Sequence, residues 1–76
     1  MAQISWADKS GDESGFEVQR EEKSGRNWGG TTTVAFTGPD VTSVTDQAGS
    51  GTLRYRVRAF NGLGASDWTS WAQVKL

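Results

Sequence analysis

Cysteine and histidine are both absent from this 76-residue chain. Without cysteine there is no disulfide and no thiolate metal site, and the redox compartment is left open. Without histidine the commonest general base and metal ligand is missing. An excess of charge of one sign is lacking too. Eight Lys and Arg stand against nine Asp and Glu, and the net charge of -1 argues against nucleic-acid binding through bulk positive charge. No apolar run approaches the roughly 18 residues that suggest a membrane span. The first residues lack the basic-then-apolar form of a signal peptide, so export would depend on a signal outside this chain or already removed. No Asn-X-Ser/Thr acceptor exists, because Asn27 and Asn61 are followed by the wrong residues.

What is present is aromatic and alternating. Only 34% of residues are hydrophobic, yet four Trp, three Phe and one Tyr are among them. A few large rings, each able to bury about 150–250 Å², must supply much of the core. At this length a single domain is expected, residues 1–76, near the lower limit for independent stability.

Leu53 to Asn61 reads Leu-Arg-Tyr-Arg-Val-Arg-Ala-Phe-Asn, with Leu53, Tyr55, Val57 and Ala59 alternating with Arg54, Arg56 and Arg58. That period of two describes a strand with one apolar and one cationic face. Shorter strands are expected at Gln3–Ala7, Phe16–Glu22, about Thr31–Phe36, Val41–Asp46 and Ser70–Leu76. They are separated by Gly-, Asp- and Ser-containing turns at intervals of about 8–12 residues. No window carries a sustained helical period. Six short strands predict an all-β, antiparallel sandwich or barrel. The expected core is Ile4, Trp6, Phe16, Val18, Val34, Val44, Tyr55, Val57, Ala59, Val74 and Leu76.

Trp6-Ala7-Asp8 with Ser10, Glu13 and Gly15-Phe16-Glu17-Val18-Gln19-Arg20, then Thr45-Asp46, then Tyr55 to Asn61 followed by Gly64, Ser66 and Trp68, resemble a fibronectin type III domain of the bacterial kind. The resemblance runs from Ile4 onward. It implies an immunoglobulin-like β-sandwich with strands B, C, C′, E, F and G in the order given above, and it favours an extracellular or secreted setting. Two departures accompany it. The family's strand A is missing, which leaves strand B as a sheet edge with unpaired backbone groups. The family's corner tyrosine falls at Leu53, so its hydroxyl-to-backbone bond cannot form. Both predict lower stability than usual.

Trp68-Thr69-Ser70-Trp71-Ala72 resembles the Trp-Ser-X-Trp-Ser box of cytokine receptors, in which, as that resemblance implies, tryptophans interleave with strand F arginines. Arg54, Arg56, Arg58, Trp68 and Trp71 are therefore expected on one outer face, with Glu17, Glu21 and Glu22 across the sheet to neutralise it. The favoured role of that face is structural. Its alternative role is ligand binding, with carbohydrate the main class and nucleic acid disfavoured. Trp28 either joins such a platform or packs at the core or rim, the latter being the expectation. Gln3, Ile4, Ser5 and Trp6 form the candidate self-association edge; a tolerated open edge is the expectation there, and a homodimer through it is the alternative.

Asp8, Ser10, Asp12 and Glu13 begin like a calcium loop. Glu13 sits where glycine is required and Gln19 where the bidentate glutamate should be, so a solvated turn is expected and no metal. The same acids are the only candidates for paired acid-base work, and nothing places them in a pocket. No phosphate-cradling loop is seen, and no cofactor is expected. The expected function is a non-catalytic spacer or protein-interaction module whose partner is a protein or a neighbouring domain. A carbohydrate-binding accessory module and a self-assembling structural protein are the alternatives.

Overall fold

The computed structural model describes residues 1–7, 13–47 and 51–76. Within them the chain forms strands and turns only: β1 (Ala2–Ser5), β2 (Gly15–Ser24), β3 (Asn27–Trp28), β4 (Thr32–Thr37), β5 (Ser43–Asp46), β6 (Thr52–Asn61), β7 (Gly64–Ala65) and β8 (Ala72–Lys75). The fold is all-β and antiparallel, as the alternating pattern predicts. The two ten-residue strands, β2 and β6, pair along most of their length from Gly15↔Phe60 to Glu22↔Leu53. On the far side of β2 run β4 and, further along, β3; on the far side of β6 run β7 and β8. A second sheet consists of β1 and β5 alone, in register from Ala2↔Asp46 to Ser5↔Ser43.

Eight strands replace the expected six because two segments expected as turns each contribute a two-residue strand, β3 and β7. The strand expected at Thr31–Phe36 is β4, and β3 precedes it as the return arm of a tight hairpin with β2. Lys23 pairs with Trp28 and Ser24 with Asn27, which leaves Gly25 and Arg26 as the turn. Gly25 has φ +62°, a left-handed conformation that favours glycine at the first position of a two-residue hairpin turn. The strand expected at Ser70–Leu76 starts at Ala72, and β7 pairs with β6 just after Asn61. The first strand is shifted toward the N-terminus: Trp6 and Ala7 lie beyond β1, although the Trp6 N–H still reaches the Thr42 carbonyl at 2.9 Å.

Side chains from both sheets meet in one core: Ala2 and Ile4 from β1, Phe16 and Val18 from β2, and Leu53, Tyr55, Val57 and Ala59 from β6. The aromatic rings of Trp6 and Phe16 pack at 5.5 Å. Several expected core residues are less covered. Trp6, Val34, Val44 and Val74 are only partly buried, and Leu76 is 37% exposed. The reason is geometric. A two-stranded sheet is too narrow to cover a sheet four strands across, so Val34 on β4 and Val74 on β8 pack at the margin of the core and are only partly covered. Val34 is also the extra residue of a β-bulge, since Val18 pairs with Ala35 and Gln19 with Thr33. Conversely, Ala2 and Leu53 are buried without having been expected in the core, and Leu53 is 1% exposed.

The position where a corner tyrosine was expected therefore holds a central packing residue. Tyr55, two residues on, supplies a different link: its hydroxyl donates to Asp46 Oδ2 at 2.7 Å, and Arg20 Nη1 donates to the same oxygen at 2.7 Å. Asp46 belongs to the small sheet, and Arg20 and Tyr55 to the large one. This three-residue latch ties the sheets together at one end of the core. Burial pushes the Tyr55 hydroxyl well above the ordinary tyrosine value, and the adjacent Asp46 carboxylate pushes it further. Burial alone would raise Asp46, but the hydrogen bonds from Tyr55 and Arg20 outweigh it and hold the carboxyl below its usual range.

Candidate functional site: an arginine and tryptophan ladder

The antiparallel register places Glu17, Gln19 and Glu21 of β2 directly opposite Arg58, Arg56 and Arg54 of β6, all on the outer face. Each arginine reaches across. Arg54 donates through Nε and Nη2 to Glu21 Oε1, and Arg58 donates through Nε to Glu17 Oε1 at 2.8 Å. Arg56 finds no carboxylate opposite and donates instead through Nε (3.0 Å) and Nη2 (2.8 Å) to the amide oxygen of Gln19. With their inner edges fixed, the guanidinium planes stand across the sheet like rungs.

Tryptophan rings fill the gaps. Arg54 stacks on Trp28 at 4.3 Å and on Trp71 at 4.4 Å, Arg56 on Trp71 at 4.5 Å and on Trp68 at 4.3 Å, and Arg58 on Trp68 at 4.4 Å. The order along the face is Trp28, Arg54, Trp71, Arg56, Trp68, Arg58. All six residues expected from the sequence are thus brought together. Trp28 is on the ladder and not in the core, because the Gly25–Arg26 turn folds β3 back beside β2 and carries its ring over Arg54.

Trp68 and Trp71 come from the segment between β7 and β8, which follows β6 without forming a strand of its own. Two hydroxyl residues hold it there. The Thr69 N–H donates to the Val57 carbonyl at 2.9 Å while its Oγ1 accepts from the Val57 N–H at 3.0 Å. Ser66 repeats the pattern with Ala59, at 2.8 and 3.0 Å. A side-chain oxygen replaces a ladder carbonyl at each point, and the tryptophans either side of Thr69 are thereby aimed at the arginines.

The acids beneath the ladder are satisfied twice. Glu17 faces outward yet is only 7% exposed, and its second oxygen accepts from Thr33 Oγ1 at 2.7 Å. Burial would raise its carboxyl, but the bonds from Thr33 and Arg58 prevail and hold it low. The hydroxyl of Thr31 donates to Glu21, and that bond together with Arg54 lowers the Glu21 carboxyl. Glu22, also expected to neutralise the arginines, lies instead 3.5 Å from Arg20. Reading along the chain did not reveal Thr31 and Thr33 as partners. The available signal was the Thr31-Thr32-Thr33 run at the entry to β4, whose first and third hydroxyls reach Glu21 and Glu17.

At the Arg58 end of the ladder the outer face turns apolar. Phe36 meets Phe60 edge to face at 6.0 Å and is 69% exposed, and Leu63, at the tip of the β6–β7 hairpin, is 98% exposed. Among the described residues no group of three or more carboxylates or other ligands is arranged to hold a metal. Asp8, Ser10 and Asp12 of the acidic loop lie outside the described residues. No family profile, no curated protein and no solved structure matches this chain.

Proposed function

We propose that this chain is a fibronectin type III-like module that acts without catalysis, as a rigid spacer or protein-interaction unit. The observation that carries the reading is the ladder itself. The residues best suited to chemistry are bound to one another: two arginines to glutamates, the third to Gln19, and Trp68 and Trp71 each held between two guanidinium groups. Carbohydrate stacking needs an open ring face, which such a sandwich does not offer. An interaction role draws support from the Arg58 end of the ladder, where Phe36 and Leu63 are exposed, since exposed apolar groups mark protein contacts.

Tryptophan emission during titration with a broad panel of polysaccharides and their oligomers tests this. Unchanged emission with every sugar is the expected result. Quenching or a shift with any one of them, abolished by Trp68→Ala, would replace the proposal with a carbohydrate-binding role.

A further inference from the structure

Asn61-Gly62 is the only place in the chain where an asparagine precedes a glycine; Asn27 precedes Trp28, and every aspartate is followed by a residue with a side chain. The pair sits where β6 ends and the turn to β7 begins, with Asn61 opposite Gly64 and with Gly62 and Leu63 between them. Three features of this turn bear on its chemistry. The Asn61 amide oxygen accepts from the Leu63 N–H at 2.8 Å, a bond that folds the side chain back over the Gly62 peptide and draws electrons from the amide carbon. The Gly62 N–H donates to no carbonyl among the described residues. Gly62 is exposed, and a Cβ placed on it would meet nothing within 4 Å, so its surroundings are open to a side chain and to water.

We propose that Asn61 is a site of spontaneous covalent modification, in which the Gly62 nitrogen closes onto the Asn61 side chain. At mildly alkaline pH hydroxide removes the Gly62 amide proton, and the nitrogen attacks Asn61 Cγ. The N–Cγ bond forms, the Cγ–Nδ2 bond breaks, and the departing nitrogen takes a proton from water and leaves as ammonia. A five-membered succinimide then joins the two residues. Water opens it at either carbonyl. Attack at the side-chain carbon gives aspartate; attack at the main-chain carbon gives isoaspartate, in which the chain continues through Cβ and Cγ. Across both steps one water enters, one ammonia departs, no electrons are exchanged and a carboxylate is gained.

Glycine favours the closure because a Cβ at position 62 would crowd the attacking nitrogen. The strand conformation of Asn61 holds that nitrogen away from Cγ, so the turn must open first. Little is broken when it does: β7 is two residues long, and Gly62, Leu63, Gly64 and Ala65 are all exposed, the kind of segment that opens locally at low cost. Asn27 is the internal contrast. It lies in β3 paired with Ser24, and the ring of the residue after it is stacked on Arg54. The isoaspartyl form adds one carbon to the main chain on the path from Phe60 to Ser66, which puts the two bonds between Ser66 and Ala59 out of step.

Peptide mapping by mass spectrometry, after the folded chain has stood in warm, mildly alkaline buffer, tests this. The peptide holding Asn61 is expected to gain the mass difference between NH2 and OH and to accept methyl groups from an isoaspartyl-specific methyltransferase, while the Asn27 peptide stays unchanged. Gly62→Ala has room for its methyl and is expected to keep the parent's circular dichroism while converting more than about tenfold more slowly. In the purified isoaspartyl chain the Ser66 amide is expected to exchange with solvent faster than in the parent. An Asn61 that stays intact in the folded chain while the urea-unfolded chain converts overturns the proposal. So does a Gly62→Ala variant that converts as fast as the parent, or a product that is aspartate alone, as direct hydrolysis would give. Unchanged Ser66 exchange in the isoaspartyl chain would overturn the predicted slippage of the hairpin.

Discussion

Removing the Tyr55 hydroxyl by Tyr55→Phe leaves the ring in the core and deletes one bond of the latch between the sheets. The lost bond runs to a carboxylate, and such bonds contribute about 1.5–3 kcal/mol. A domain of this length has a total stability of about 4–11 kcal/mol, so the substitution removes a sizeable part of it. At roughly 4–8 °C per kcal/mol for a chain this small, the midpoint of thermal unfolding should fall by about 6–24 °C. Urea unfolding followed by tryptophan emission gives the free energy directly. Its pH dependence identifies the mechanism. Asp46 is held below its unfolded value, so its contribution is present above the ordinary carboxylate range and is lost as pH falls through the lower folded value. The gap between parent and variant should narrow across that acid window. At the alkaline end Tyr55 is raised, so the parent keeps its full contribution below about pH 10 and loses it as pH climbs higher, whereas the variant has no such decline. A loss under about 0.5 kcal/mol near neutral pH, or an equal loss at acid and neutral pH, would refute the latch.

Arg58→Met should destabilise more than Arg56→Met, although both keep the stem and lose stacking on tryptophan. The first strands the largely buried Glu17 without its cation, at a cost of about 3–5 kcal/mol; the second leaves only neutral Gln19, at roughly 1–2 kcal/mol from two lost stacking contacts. Urea titrations of the pair read the difference. In Gly15→Ala the added methyl would lie against the Thr37 carbonyl oxygen and 3.0 Å from the Phe60 ring, so β2 and β4 must separate at that end. A loss of more than about 2 kcal/mol and faster amide exchange in β4 are expected. Leu53→Ala should cost about 2–5 kcal/mol and Leu63→Ala nearly nothing by the same titration, because one is enclosed and the other touches solvent on all sides.

The strand pattern was legible because alternation is local. Arg54, Arg56 and Arg58 declare an outer face from their spacing alone, and Phe16 and Val18 an inner one. What lay beyond reach depended on pairing between distant residues. Which glutamate meets which arginine is set by the register of β2 on β6, between positions 33 to 41 residues apart. The bulge at Val34 and the narrowness of the β1–β5 sheet are decided by partners elsewhere, so the burial of Val34, Val74 and Leu76 was overestimated. Trp28 was misplaced for a nearer cause: Ser24-Gly25-Arg26-Asn27 carries glycine at the first turn position, the signal for a two-residue hairpin. Tyr55 and Asp46 were each placed on a strand, but their meeting across the sheets was not foreseen.

The order of charges beneath the ladder also acts as a check on folding. Two long strands of alternating pattern can slide by two residues and still keep their apolar faces inward, so burial alone does not fix their alignment. Here a slide in one direction would set Lys23 against Arg54, cation facing cation, and leave Arg58 facing Gln19. The opposite slide would set Gly15 against Arg58 and Thr52 against Glu21, so both of those charges would lose their partners. With Glu, Gln and Glu read against Arg, Arg and Arg, a single alignment satisfies both carboxylates and brings Trp68 and Trp71 into step with the gaps. The outer face, which contributes little to the core, thereby selects which of several similar cores is built.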